Sequence, residues 1–139
     1  KDLLNFAEAI NNKNFKARTL CGVLARSLNE KKIVLRREPC CPMVISGLSS
    51  KEFIWDGRWK ISATRRLKKF EYIGPLGNKG YIQIKNHIVK NKSIEGVLST
   101  PTLFRKDIVI SAPMLKFGTE LSCKLKHNKK QFINCFILH

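Results

Sequence analysis

Apolar Leu3, Phe6, Ala7 and Ile10 recur at the spacing of one helix face, and the polar "NNKN" beginning at Asn11 ends the pattern. A short leading helix is predicted within residues 1–14, read as a lead-in from a preceding domain. "TLCGVLARSL" (Thr19 to Leu28) and "IVLRR" (Ile33 to Arg37) are rich in strand formers and flank the polar "NEKK", the pattern of a hairpin with a loop of about four residues. Pro39 and Pro42 cannot donate ladder hydrogen bonds, so "EPCCPMVISGLSS" reads as an irregular connection.

In "FIWDGRWKI", residues 53–61, the only two tryptophans flank Asp-Gly, a strong hairpin signal because both central residues of a type I′ turn need positive φ. With Asp56 and Gly57 as a two-residue loop, Trp55 faces Arg58, Ile54 faces Trp59 and Phe53 faces Lys60. Ile54 and Trp59 are then expected to cover the core while Trp55 stacks on the Arg58 guanidinium. Further on, Tyr81, Ile84 and Ile88 favour a helix in "GYIQIKNHIVKN", with Asn78 as a cap-like residue. "TPTLFRKDIVISAP" reads as two strands around "RKD", and "FINCFIL" as a last buried strand. The expected fold is α+β: a mainly antiparallel sheet, a short leading helix and one or two packed helices, with residues 15–139 as the main region.

Charge changes the picture. The 139 residues hold 27 Lys and Arg against 10 Asp and Glu, a net +17. Such a surplus repels itself, and its usual offset is a polyanion, with nucleic acid ahead of an anionic membrane surface. From Arg58 to Lys92 there are ten cations (Arg58, Lys60, Arg65, Arg66, Lys68, Lys69, Lys79, Lys85, Lys90, Lys92) and, before Glu95, only the carboxylate Glu71. Of these, Arg58, Lys60, Arg65, Arg66, Lys68, Lys69 and Lys79 are the candidate phosphate contacts. Phe70 and Tyr72 lie close enough to stack on bases, but Phe70 is assigned first to the core. No apolar stretch approaches the roughly 18 to 20 residues of a membrane-spanning helix and no signal peptide is evident, so a cytoplasmic protein without a membrane partner is expected.

The five cysteines include no Cys-x-x-Cys pair and read as reduced thiols, several of them buried. Cys123 with His127 and Cys135 with His139 repeat Cys-x-x-x-His, which in principle supplies four zinc ligands. A strand through "FINCFILH" would hold the second pair far apart, so no metal is assigned. "GPLGNKG" has glycines but lacks the strand-to-helix context of a phosphate loop, and Pro75 favours a plain turn. His87 reads as an ordinary polar helix residue. No catalytic residue and no cofactor is assigned to this chain.

Three stretches in order resemble the C-terminal region of tRNA(Ile)-lysidine synthase, in a form like that of alphaproteobacteria. "TLCGVLARSLNEKKIVLRREP" is similar to a family stretch through Thr19, Leu20, Gly22, Arg37 and Glu38, with Cys21 where the family has Gly. "IWDGRWKI" resembles Trp-Asp-Gly-Arg-Phe, with Trp59 in place of Phe, and "STPTLFRKDIVISAPML" matches through Pro101, Leu103, Ala112 and Pro113. The resemblance implies a parent ligase that uses ATP with magnesium to adenylate the wobble cytidine of isoleucine tRNA and then joins lysine to it. That chemistry belongs to a Ser-Gly-Gly-x-Asp-Ser loop in the family's N-terminal domain, a sequence this chain lacks. The chain starts at Lys1 rather than Met and is expected to be a piece of a longer protein. The implied partners are tRNA and an N-terminal ligase domain of the same protein. The alternative reading is a stand-alone basic RNA-binding module without catalytic activity.

Overall fold

A computed structural model describes residues 2–29, 32–38, 40, 44–47, 50–87 and 94–126. By packing, the chain forms two units, residues 1–41 and 42–139, so the leading helix groups with the first strands.

In the first unit, helix α1 spans Asp2–Ile10. Past its end, the Asn12 side chain accepts a hydrogen bond from the Asn14 amide at 2.9 Å, a local alternative to another helical turn. Strands β1 (Ala17–Leu20), β2 (Val23–Asn29) and β3 (Lys32–Arg37) form an antiparallel sheet in that order. The expected strand over Thr19–Leu28 is in fact two. Cys21 and Gly22 both take positive φ, 49° and 74°, and close a two-residue hairpin in which Leu20 pairs with Val23. The second hairpin lies where "NEKK" placed it, with Asn29 opposite Lys32.

Among the described residues, the second unit contains two antiparallel sheets. One has the order β10-β6-β5, from β5 (Glu52–Trp55), β6 (Trp59–Ala63) and β10 (Leu121–Leu125). The other has the order β4-β7-β8-β9, from β4 (Ile45–Ser46), β7 (Glu71–Pro75), β8 (Pro101–Arg105) and β9 (Ile108–Ser111). Side-chain alternation gives the second sheet two different faces. Paired Ile73 and Leu103 join Trp55, Trp59, Ile61, Ala63 and Leu121 in a core shared with the first sheet. Phe104, which pairs with Tyr72, belongs to a second core with Leu76, Ile84, Val97 and Leu115. Helices α2 (Gly77–Ile84) and α3 (Ile94–Val97) contribute to this second core.

The fold is therefore α+β and mainly antiparallel, with a short leading helix. The helix expected around Tyr81 and Ile84 is present, but it begins at Gly77 after Leu76, so Asn78 lies inside its first turn and does not cap it, and "GPLGNKG", expected as a plain turn without strand-to-helix context, instead carries β7 directly into α2. The Leu76 and Gly77 amides instead donate to the Thr100 and Leu98 carbonyls, at 3.1 and 2.9 Å. The strand expected over "FINCFIL" lies outside the described residues.

Candidate nucleic-acid interface

The Asp-Gly turn forms with both residues at positive φ, 50° and 65°, and the Arg58 amide donates to the Trp55 carbonyl. Its register differs by one residue from expectation: Trp55 pairs with Trp59, Ile54 with Lys60 and Phe53 with Ile61. Arg58 is an extra residue at the corner. A one-residue slip exchanges the faces of a strand, so Trp55 joins Trp59 in the core and Ile54 is left exposed. Arg58 is held within the corner itself. Its Nε donates to Asp56 Oδ2 at 2.7 Å, and its Nη2 lies 2.6 Å from the same oxygen and donates to the Ser99 carbonyl at 3.3 Å. Lys60 is exposed on β6, opposite Lys124 of β10 and 3.7 Å from Glu52.

After β6, the basic loop 64–70 is organised by a buried carboxylate. Glu71 opens β7 with a fully buried side chain that faces two arginines. Arg65 donates to both Glu71 oxygens, at 2.7 and 2.9 Å, and Arg105 donates from Nε and Nη2 to Oε1, at 3.0 and 2.7 Å. The Lys68 amide supplies a fifth bond at 2.7 Å. The Arg65 hydrogen bonds hold the Glu71 carboxyl down to about 2 against the opposing effect of burial, helped by the Lys68 amide and Arg105. Arg65 is thus a brace, and it shares the single Glu71 charge with Arg105.

The brace leaves Arg66, Lys68 and Lys69 exposed. Phe70 follows at φ 65° and is 59% exposed, contrary to its assignment to the core. The inward position at this end of β7 is taken by Glu71 with its arginines, and the left-handed backbone turns Phe70 into solvent. Two ammonium groups stand over its ring, Lys69 at 5.2 Å and Lys106 at 5.4 Å from the centroid. Lys106 comes from the β8–β9 turn, where it and Asp107 have φ of 47° and 65°, and its amide donates to the Phe70 carbonyl. Beside the ring lies a hollow of about 580 Å³ lined by Ser46, Leu67, Lys68, Lys69, Phe70 and Lys106, among others.

Tyr72 bounds this hollow, stacked on Phe104 at 5.1 Å between ring centroids. Its hydroxyl donates to Asp107 Oδ1, and burial, then that carboxylate, push it up to about 12. Of the predicted cations, Lys68 and Lys69 are gathered around Phe70, Arg66 is on the same loop, and Arg58, Lys60 and Arg65 each face a carboxylate. Lys79 sits on α2 beside a separate hollow. Lys106 was missed. Its proximity follows from the pairing of Glu71 with Arg105 between β7 and β8, which the "RKD" turn signal alone does not give.

Among the described residues, no group of three or more His, Cys, Asp or Glu is placed to hold a metal ion, and no helix is long and apolar enough to cross a membrane. Cys123 is half-buried on β10, while His127, Cys135 and His139 lie outside the described residues. No protein-family model, curated protein or solved structure matches this chain.

Proposed function

We propose that this chain is an RNA-docking region, the C-terminal tRNA-gripping part of a tRNA(Ile)-lysidine synthase whose ATP- and magnesium-dependent chemistry resides in a separate ligase domain of the same cytoplasmic protein. The observation that carries the docking reading is the exposed Phe70 ring beneath the Lys69 and Lys106 ammonium groups, with Lys68 and Arg66 on the same loop. An aromatic face takes a stacked base and nearby cations take the flanking phosphates, a pairing that tolerates many sequences. The family assignment rests on the three resembling stretches. Arg58 and Arg65 support the surface by fixing its corner and loop, and Lys60 adds positive field.

The test is filter binding of isoleucine tRNA, an unrelated tRNA and duplex DNA at two salt concentrations, for the wild type and a Lys68→Glu/Lys69→Glu variant. The wild type should bind the tRNAs with a steep salt dependence, and the variant should lose affinity for both alike. Its log K against log salt slope should fall by roughly 0.7 to 0.9 for each phosphate contact removed. Wild-type levels of binding in the variant would place the docking surface elsewhere, and absence of wild-type binding would remove the docking proposal.

A further inference from the structure

A second hollow adjoins the Phe70 platform. It has a volume of about 600 Å³, and Tyr72 and Asp107 bound both hollows. Small-molecule sites run from about 300 to 1,000 Å³ and combine mostly apolar walls with a few fixed polar groups. Here the walls include Leu76, Gly74, Gly80 and the stacked rings of Tyr72 and Phe104, whose planes lie 15° apart. Gly80 lets α2 pack closely on this wall: a Cβ there would come within 2.9 Å of Leu76 Cδ1 and 3.3 Å of the Phe104 ring, whereas one on Gly74 would make ordinary contact with Val44 at 3.4 Å.

The walls are also held in position. Tyr72 is tethered by its hydroxyl to Asp107, and Gln83 is bonded at both ends, its Nε2 to the Asp107 carbonyl at 2.8 Å and its Oε1 to the Val109 amide at 2.9 Å. Exposed Asn78 and Lys79 of α2 line the same hollow. A side-chain amide matches the hydrogen-bonding edge of a base, and an ammonium matches a phosphate.

Building on the docking reading above, we propose that this hollow receives one unstacked nucleobase, so that the surface selects unpaired nucleotides of an RNA loop or end over duplex. One base lies on Phe70, its neighbour enters the hollow past Tyr72, and Lys79 meets the phosphate beyond. A duplex keeps its bases inside the stack and offers neither group to the protein. This also gives Lys79, the predicted cation that stands apart from Phe70, a role in the same track.

The experiment compares a ten-nucleotide oligoadenylate with a ten-base-pair RNA duplex for the wild type, Val44→Trp and Lys68→Glu/Lys69→Glu. Val44 is exposed at the rim of the hollow, so an indole there fills the space without touching the Phe70 platform. The wild type should favour the single strand by about a hundredfold, two bases each contributing about tenfold, the scale of one base stacked on an aromatic ring. Val44→Trp should cut that preference to the roughly tenfold that Phe70 alone supplies and leave duplex binding unchanged, whereas the charge-reversed variant should lose both. A second readout needs no substitution: 2-aminopurine at the centre of the oligoadenylate should brighten as it leaves its stack on the wild-type protein. If the wild type binds neither nucleic acid, the docking reading itself falls. If it binds both equally, if Val44→Trp keeps the full wild-type preference, or if 2-aminopurine emission is unchanged, docking stands and the base-receiving hollow is overturned.

Discussion

Replacing Glu71 with Gln keeps the shape of the side chain and removes the charge on which two guanidinium groups converge. The carboxyl is held at about 2, roughly two units below a free glutamate, equivalent to about 3 kcal/mol of preference for the ionised form. Arg65 is 31% and Arg105 44% exposed in their side chains, so water screens part of that gain, leaving about 2 kcal/mol for the variant to lose. The folded pKa lies below the unfolded one. The contribution is therefore complete above about pH 5 and drains away as pH falls from about 4.3 toward 2. Urea denaturation followed by the fluorescence of buried Trp55 and Trp59 measures it directly. Glu71→Gln should be less stable by about 2 kcal/mol at pH 7 and by about half that at pH 3, where the glutamate of the unfolded chain is protonated while the folded carboxylate is still mostly ionised. A gap below about 0.5 kcal/mol at pH 7, or an equal gap at both pH values, would refute the assignment of Glu71 as the electrostatic centre of the loop.

Phe70→Ala should change stability by less than about 0.5 kcal/mol, because the ring is largely in solvent, yet weaken tRNA binding by about tenfold; thermal melts and filter binding on one preparation check both. Two glycines at positive φ should respond differently to alanine. Gly57 has open space and should cost about 1 kcal/mol, whereas a Cβ on Gly118 would lie 2.3 Å from the Ile110 carbonyl oxygen and should cost at least about 2 kcal/mol; equal melting temperatures would refute this reading of the packing. Burial pushes the Cys123 thiol up to about 11, so at pH 8 it should react with iodoacetamide about a hundredfold more slowly than a free thiol, measured by peptide mapping with exposed Cys21 and Cys40 as internal comparisons.

The strands and turns of this chain were largely legible because they follow local rules. The Asp56-Gly57 corner, the "RKD" reversal and the helix around Ile84 all carried recognisable signals and all formed. The misses came from single residues with consequences at a distance. Arg58, inserted at the hairpin corner, moved the register by one and exchanged Trp55 with Ile54 between core and surface. Cys21 supplied a positive φ that its residue type does not advertise, dividing one expected strand into two. The candidate surface was half visible. Lys68 and Lys69 stood out by density of charge, but only tertiary pairing shows that Arg65 belongs to Glu71 and that Lys106 comes over Phe70. Charge counting sees how many cations a segment holds and is blind to those with a buried counterion.

The corner between the tryptophans also bears on chemical ageing. Asp-Gly is the dipeptide most prone to isomerise, because the glycine nitrogen meets little hindrance in attacking the aspartyl carboxyl to form a succinimide. Here the Asp56 side chain is 6% exposed and its carboxylate is gripped by Arg58 at 2.6 Å, which resists the rotation that ring closure demands. The guanidinium that first looked like a handle for phosphate thus serves as a guard on the peptide bond beside it, and the intact protein should outlast its unfolded form against this slow damage.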